Sequence, residues 1–393
     1  MALDTAFMLP LKKIMHSSIS HDTIDIDVII KLIEEENNMI TVIDKNKWEI
    51  PKYTGNQINK AGKIIADPFS TSEERDQALF VLNNWRAAHA YPLQVICSNL
   101  RKKNPDAIVV QRLKRLESIT GKIQRFPNMQ LYKMQDLGGC RVIVDTIEDV
   151  YNSVDIYKKS RIRHILKKED DYIASPKTSG YRSYHMVYQF HSETKDTYNK
   201  NMFIEIQFRT KLQHIWATAV EMMGIYTKSN LKSSQGNYEI LRFFTLVSSL
   251  FAIEEKMPVC PNTSKWADEL VSEVKYLDNK NNILSTLSGL NVSIDYASKN
   301  YNQKNKDLYY ILLLDYNKMR VHVRPFFSSK IENATKVYSQ IEKNSDKNVV
   351  LVSASSFETL RLAYPNYFAD ISHFVEKLRH IISHYDSIKH CNK

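Results

Sequence analysis

The chain has 393 residues, of which 43% are hydrophobic and 25% are charged, a balance typical of a globular protein with ordinary cores. No apolar run reaches the roughly 18 residues that a membrane span needs, so a membrane protein is not expected. The four cysteines lie far apart without a CxxC pair, which argues against a zinc ribbon and against a disulfide framework. We therefore expect a protein of the reducing cytoplasm. The net charge of +10 favours polyanionic partners such as nucleotides or RNA.

Hydrophobic periodicity predicts alternating helices and strands along the first 260 residues. In chain order these are a helix over 22–40, a helical stretch over 72–103 interrupted near Pro92, a strand over 107–114, a strand over 141–145, a helix over 148–160, strands over 184–191 and 202–209, and a helix over 211–224. The mixture predicts an α/β (mixed α+β) fold, in which helices flank a mixed sheet.

The pattern changes after Pro258 and Pro261, which indicate a boundary. The elements predicted beyond it are a helix over 264–278, two strands of a hairpin over 309–316 and 319–327, a helix over 331–343, a strand over 348–355, and helices over 357–365 and 371–385. We therefore expect four parts: an N-terminal helical extension (1–74), a main domain (75–262), a linker helix (263–290) and a small C-terminal ββαβα accessory domain (291–393).

A basic cluster follows the first predicted strand. Period-two alternation places Arg112 and Lys114 on one face of the strand, and Ser118 is a suitable helix start with Lys122 one turn later. Such a cup of cations suits a triphosphate. A solvated basic strand edge explains the same residues without a ligand.

Two carboxylates are candidates for chemistry. Asp136 lies beside glycines just before a buried strand, where a carboxylate can hold a metal ion or simply cap a turn. Glu205 shares a strand face with Gln207 and Arg209 while the opposite face is apolar, so it needs a metal or a cation as partner. An ion pair with Arg209 alone satisfies that need.

Residues 170–185, DDYIASPKTSGYRSYH, contain more chemistry than a turn requires. Gly180 suits a turn, but a turn does not need the cation of Lys177, the ring of Tyr181 or the imidazole of His185. Cations for phosphates, an aromatic face for a base and polar groups for base edges together fit a purine nucleotide.

Four motifs occur in one order: R-x-K-x-x-x-S-x-x-x-K from 112, D-L-x-G-x-R from 136, D-Y-I-x-x-P-K-x-x-G-Y-x-S-x-H from 171, and E-I-Q-x-R-T from 205. This order closely resembles the synthetase domain of the RelA/SpoT family over residues 75–255. Nothing in the chain resembles that family's HD hydrolase or TGS domains. The resemblance implies a nucleotidyltransferase-like sheet in the main domain.

The resemblance also implies the reaction, transfer of pyrophosphate from ATP to the 3′-hydroxyl of GDP or GTP, with ppGpp or pppGpp and AMP as products. It implies that the ATP phosphates are bound by Arg112, Lys114, Ser118, Lys122 and Arg141. Asp136 and Glu205 would hold Mg²⁺, with Glu205 also the base. The acceptor nucleotide would be bound by Lys177, Tyr181, His185 and Gln207.

The tetrapeptide Lys168–Asp171 departs from the family pattern, which carries either RxKD or ExDD there in long members. This leaves the acceptor open, and a family member that pyrophosphorylates the 3′-CCA end of tRNA is an alternative. An inactive nucleotide-sensing module with a partner-binding C-terminal domain is another. The sequence also leaves open a homo-oligomer and a regulator bound by the C-terminal domain.

Overall fold

A computed structural model describes residues 48–227, 229, 231, 235–289, 293–296, 308–315, 320–327, 331–344, 348–354, 359–360 and 371–391. Trp48–Lys393 form one compact unit. The helix predicted over 22–40 lies outside the described residues, as does most of the helix predicted over 357–365.

The described helices lie mainly before residue 290. They are α1 (Gly55–Ala66), α2 (Ser72–Ala88), α3 (Ala90–Lys103), α4 (Leu116–Arg125), α5 (Ile147–Lys158), α6 (Lys211–Tyr226), α7 (Tyr238–Glu254), α8 (Ala267–Asn281), α9 (Ile283–Gly289), α10 (Ile331–Asn344) and α11 (Ser372–Cys391). None of them combines the length and the apolarity that a membrane span requires.

The described strands form one nine-stranded mixed sheet. The strands are β1 (Ile108–Leu113), β2 (Gly138–Val144), β3 (Ile165–Asp171), β4 (Tyr184–Gln189), β5 (Phe203–Thr210), β6 (Ser293–Tyr296), β7 (Leu308–Asp315), β8 (Arg320–Phe327) and β9 (Asn348–Ala354). Their order is β3-β4-β5-β2-β1-β9-β7-β8-β6, with β2 and β5 parallel, β6 and β8 parallel, and the other pairs antiparallel. With α3 packed on β1 and β2, α5 on β5 and α10 on β9, the expected sheet flanked by helices is confirmed.

The predicted helix break near Pro92 is placed wrongly. The chain leaves α2 at His89, and Pro92 lies in the first turn of α3. Proline is tolerated there because the first backbone N–H groups of a helix have no partner within it.

The C-terminal strands join the same sheet as the main domain. Strand β9 pairs with β1 on one side and with β7 on the other. Val110 and Ile143 belong to one apolar cluster with Tyr310, Leu312 and Val352. The division into domains and the ββαβα unit stay predictions, and the whole-molecule experiment below tests them.

Candidate functional site

The candidate residues that lie on strands share one face of the sheet. Residues directly opposite on paired strands point to the same side, so the register defines two cross-strand rows. The first row runs Lys168, Val187, Glu205, Gly139, Arg112, and the second runs Asp170, His185, Gln207, Arg141, Val110. The sheet therefore brings both halves of the predicted site onto one surface, with Glu205 and Gln207 at its centre.

Asp136 lies between two lysines in the half of the site where the sequence predicts the ATP phosphates. Lys114 Nζ and Lys122 Nζ each donate to one of its carboxylate oxygens at 2.9 Å. Burial raises the pKa of Asp136, but the two ammonium groups outweigh burial and hold that pKa well below its usual range. Burial also lowers the pKa of Lys114. The result is an ionised carboxylate beneath two cations.

Helix α4 carries Ser118 and Lys122, but it does not begin at Ser118. It begins at Leu116, preceded by Arg115, so Ser118 lies in its first turn and the predicted helix start is wrong by two residues. Ser118 and Lys122 still lie one turn apart on one side of the helix. Arg112 is half-buried on the neighbouring strand.

A closed ring of hydrogen bonds forms the other half of this surface, where the sequence predicts the acceptor nucleotide. Glu205 accepts from His185 Nδ1 at 3.2 Å and from Gln207 Nε2 at 2.6 Å. His185 Nε2 lies 2.7 Å from the Tyr181 hydroxyl, Arg209 Nη2 donates to that hydroxyl at 2.6 Å, and the same nitrogen donates to Gln207 Oε1 at 2.9 Å. The cation expected beside Glu205 is therefore His185, and Arg209 serves Tyr181 and Gln207 instead.

The ring fixes the protonation of its members. Burial raises the pKa of Glu205, but the hydrogen bond and charge of His185 outweigh it and lower the pKa to about 2. Burial lowers the pKa of His185, but Tyr181 and Glu205 raise it to about 9. Burial raises the pKa of Tyr181, whereas Arg209 and then His185 lower it to about 7. At neutral pH Glu205 is thus an ionised acceptor beside an imidazolium.

A tight turn presents Lys177 and Tyr181. Gly180 N–H donates to the Lys177 carbonyl at 2.9 Å, and Gly180 has a φ of +86°. A Cβ on Gly180 would lie 2.9 Å from Trp216 Cζ2, so both conformation and space require glycine. Lys177 Nζ lies 4.0 Å from the centroid of the Tyr172 ring and 5.4 Å from that of Tyr181.

Arg182 stabilises this turn through hydrogen bonds to the segments packed against it, a role that the sequence analysis does not predict. It is buried, and it donates to Ser248 Oγ at 3.1 Å, to the Ile173 carbonyl at 3.2 Å and to the Pro258 carbonyl at 2.7 Å. The sequence signal for this role is the position of Arg182 directly after Tyr181. Arg209 was also missed as a ring member, although its place on the Glu205 face was visible.

The tetrapeptide Lys168–Asp171, which differs from the family pattern, is divided between the two faces of the edge strand β3. Lys168 and Asp170 lie on the site face and form an ion pair at 2.7 Å. Glu169 pairs with Lys158 at 2.7 Å, and Asp171 accepts from the Tyr151 hydroxyl at 3.0 Å. The acidic run therefore adds one carboxylate to the site face, and that carboxylate is already paired with a lysine.

The carboxylates suit a Mg²⁺ ion that is also held by phosphates. The negative charge of Asp136 raises the pKa of Glu205, which indicates that the two groups are close, and both are ionised at neutral pH. Among the described residues, no group of three or more His, Cys, Asp or Glu side chains is arranged to hold a metal ion. One or two carboxylates plus substrate phosphates is the usual donor set for Mg²⁺ in phosphoryl transfer.

Comparison with known proteins identifies the segment that carries the site. Residues 111–231 match a family model described as "Region found in RelA / SpoT proteins". Two GTP pyrophosphokinases of Bacillus subtilis, YjbM and YwaC, are each 32% identical to this chain, over 133 and 134 residues. These matches take in 33% and 32% of this chain, and the chain spans 61% of the length of either relative.

The chain is also similar to proteins of known structure. The small alarmone synthetase 1 of Bacillus subtilis bound to its product pppGpp has 22% identity and a TM-score of 0.38, over 43% of this chain and 89% of that one. A GTP pyrophosphokinase family protein of Streptococcus pneumoniae has 25% identity and a TM-score of 0.38, over 47% and 91%. Residues 111–231 are thus similar to the region found in RelA/SpoT proteins, and the two Bacillus subtilis relatives named GTP pyrophosphokinase are similar to the chain over about a third of its length.

Proposed function

We propose that the chain transfers pyrophosphate from ATP to the 3′-hydroxyl of GDP or GTP, making ppGpp or pppGpp and releasing AMP. The observation that carries this proposal is the position of Glu205 in the first cross-strand row. Arg112 lies across β2 on one side of it, and its ring partners His185 and Tyr181 lie on the other side. A base between a cationic cup and an aromatic side chain fits transfer between two nucleotides. Curated relatives named GTP pyrophosphokinase support it.

The donor half supplies charge neutralisation. Lys114 and Lys122 leave Asp136 for the ATP phosphates in this proposal, and Arg112 and Arg141 on the same sheet face complete the cup. Cations held against the equatorial oxygens neutralise the charge that develops in the transition state. Ser118, in the first turn of α4, adds a hydroxyl donor.

The acceptor half orients the attacking hydroxyl. Tyr181 stacks on the base, Lys177 at the turn meets the acceptor phosphates, and Gln207 and His185 hold the nucleotide beside Glu205. Each Glu205 oxygen accepts one hydrogen bond within the ring and has a second lone pair, so the carboxylate can still accept the proton of the 3′-hydroxyl. Asp136 and Glu205 would hold Mg²⁺, which would supply neutralisation of the phosphate charge when bound.

A labelling assay tests the function. ATP labelled at the γ-phosphate is supplied with Mg²⁺ and with GTP, GDP, ATP or deacylated tRNA in separate reactions. Label is expected on GTP or GDP. Label on tRNA alone contradicts alarmone synthesis and favours the tRNA alternative, whereas no label on any acceptor contradicts the enzyme proposal.

Glu205→Gln is the diagnostic variant in the same assay. It should lower transfer by about 10²–10⁴-fold because the base is lost, while an ATP analogue should bind with little change. The matched control is Glu148→Gln, an exposed carboxylate in the first turn of α5, which should keep wild-type transfer. Near-wild-type turnover of Glu205→Gln would show that the base is another group.

A further inference from the structure

The C-terminal helix α10 contacts the segment that joins β1 to α4. Helix α4 has no side-chain cap from its own N-cap residue, Arg115. Instead, the Leu116 N–H donates to Glu342 Oε1 at 2.7 Å, across 226 residues of sequence. A carboxylate at a helix N-terminus satisfies a free N–H and interacts favourably with the helix dipole. The start of α4 is therefore completed from outside the family region, which ends at residue 231.

The other oxygen of Glu342 holds a buried arginine. Arg86 on α2 is 2% exposed, and its Nη1 lies 2.6 Å from Glu342 Oε2. Tyr338, one turn before Glu342, donates its hydroxyl to Glu342 Oε1 at 2.8 Å and lies with its ring 4.9 Å from the Arg86 guanidinium carbon. A buried charge is stable only when paired, so Arg86 depends on Glu342.

The cluster of Arg86, Tyr338 and Glu342 contacts the β1–α4 connection at two points. Arg86 Nη1 donates to the Lys114 carbonyl at 3.4 Å, while Glu342 accepts from Leu116 two residues later. Lys114 and Lys122, the two lysines that clamp Asp136, lie on either side of that connection. Strand β9 also pairs with β1 at Arg112. The geometry of the donor cations thus depends on C-terminal residues.

We propose that Glu342 is a positioning residue for the donor half-site, and that it sets the spacing of Lys114 and Lys122 through Leu116 and Arg86. The proposal rests on the proposed function in naming ATP as the donor. Within the described residues, the hydrogen bonds and the ion pair of Glu342 go to Arg86, Leu116 and Tyr338, and none of these is a member of the ring around Glu205. Loss of Glu342 should therefore weaken donor binding and spare acceptor binding.

The test measures two affinities in the full-length chain. Glu342→Gln should raise the Kd of α,β-methylene ATP on the order of tenfold, because it removes a charged hydrogen bond and leaves Arg86 unpaired, and the Kd of GDP should change less than about twofold. In steady-state assays the KM for ATP should rise by the same factor, with kcat within about twofold. A general loss of structure would weaken both ligands together.

The matched control is Asp386→Asn, which breaks another ion pair between a C-terminal helix and the rest of the chain, 2.8 Å from Lys275. It should leave both affinities unchanged. If circular dichroism shows that Glu342→Gln does not fold, Tyr338→Phe replaces it, and about a threefold rise in the donor Kd is expected from the loss of one hydrogen bond.

Unchanged donor affinity in the folded variant, or equal loss for both nucleotides, overturns the proposal. A wild-type chain that binds both nucleotides but makes no product contradicts the proposed function. The effect of Glu342→Gln on the two Kd values can still be measured in that case. A wild-type chain that binds no donor analogue overturns both.

Discussion

Glu205 is a carboxylate whose basicity is set by one neighbour. It is 18% exposed and His185 is 12% exposed, so solvent screens their interaction weakly. Burial alone would raise the pKa of Glu205, and the imidazolium of His185 reverses that direction. A carboxylate with this low pKa stays ionised at neutral pH, although it is a weaker proton acceptor than a carboxylate of ordinary pKa.

His185→Gln should therefore change the shape of the pH profile. The pKa of Glu205 is about 2 in the wild type, so its protonation should not reduce kcat/KM between pH 5 and 8. Without His185 the main cause of the low pKa is gone while burial remains, so the pKa of Glu205 should rise and the acid limb of the profile should move to higher pH.

The measurement is log kcat/KM against pH for both proteins with the same acceptor. Titration of ATP itself affects both profiles equally and cancels in their ratio. If the two profiles run parallel from pH 5 to 8, His185 does not control the ionisation of the base.

Among the elements, strands with one buried face were predictable from the sequence, and their pairings were not. Strand β5 alternates between half-buried and buried positions over its first six residues, and β1 and β4 are mostly buried; the predicted bounds of all three lie within two residues of the observed ones. Strand β3 was missed because its first five residues are exposed and give no alternation. Neither the hydrophobic pattern nor the motifs predict that His185 is the charged partner of Glu205, because this contact depends on the strand register that places His185 opposite Gln207.

Two glycines should respond in opposite ways to alanine. Gly180→Ala forces a side chain into a φ of +86° and against Trp216 and Ser248, and it should lower the free energy of unfolding by about 1–3 kcal/mol or more. Gly121→Ala in α4 meets no atom within 4 Å and should raise the free energy of unfolding by roughly 0.5–1 kcal/mol.

Urea unfolding monitored by circular dichroism measures both changes. The Gly121 variant is the control, because it carries the same chemical change in a position that favours it. Equal effects of the two substitutions would mean that the turn at Gly180 does not need its left-handed backbone.

At the scale of the whole molecule, the continuous sheet predicts cooperative unfolding of residues 48–393. Strand β9 joins the two regions, and the apolar cluster that contains Val110 and Ile143 is completed by C-terminal residues such as Leu312. The buried network of Gln94, Gln111 and Tyr309 adds hydrogen bonds of 2.9–3.1 Å across the same boundary. A domain boundary near residue 262 would require the two regions to unfold separately.

Leu312→Ala distinguishes these cases, because all four tryptophans, at positions 48, 85, 216 and 266, precede the C-terminal strands. Leu312 is fully buried, so the substitution should cost about 2–5 kcal/mol. Cooperative unfolding should shift the urea midpoint seen by tryptophan fluorescence as much as the midpoint seen by circular dichroism. Leu166→Ala, on the exposed edge strand β3, should shift neither midpoint appreciably. Tryptophan fluorescence that keeps its wild-type midpoint in Leu312→Ala would establish a C-terminal domain that unfolds independently of the region before it.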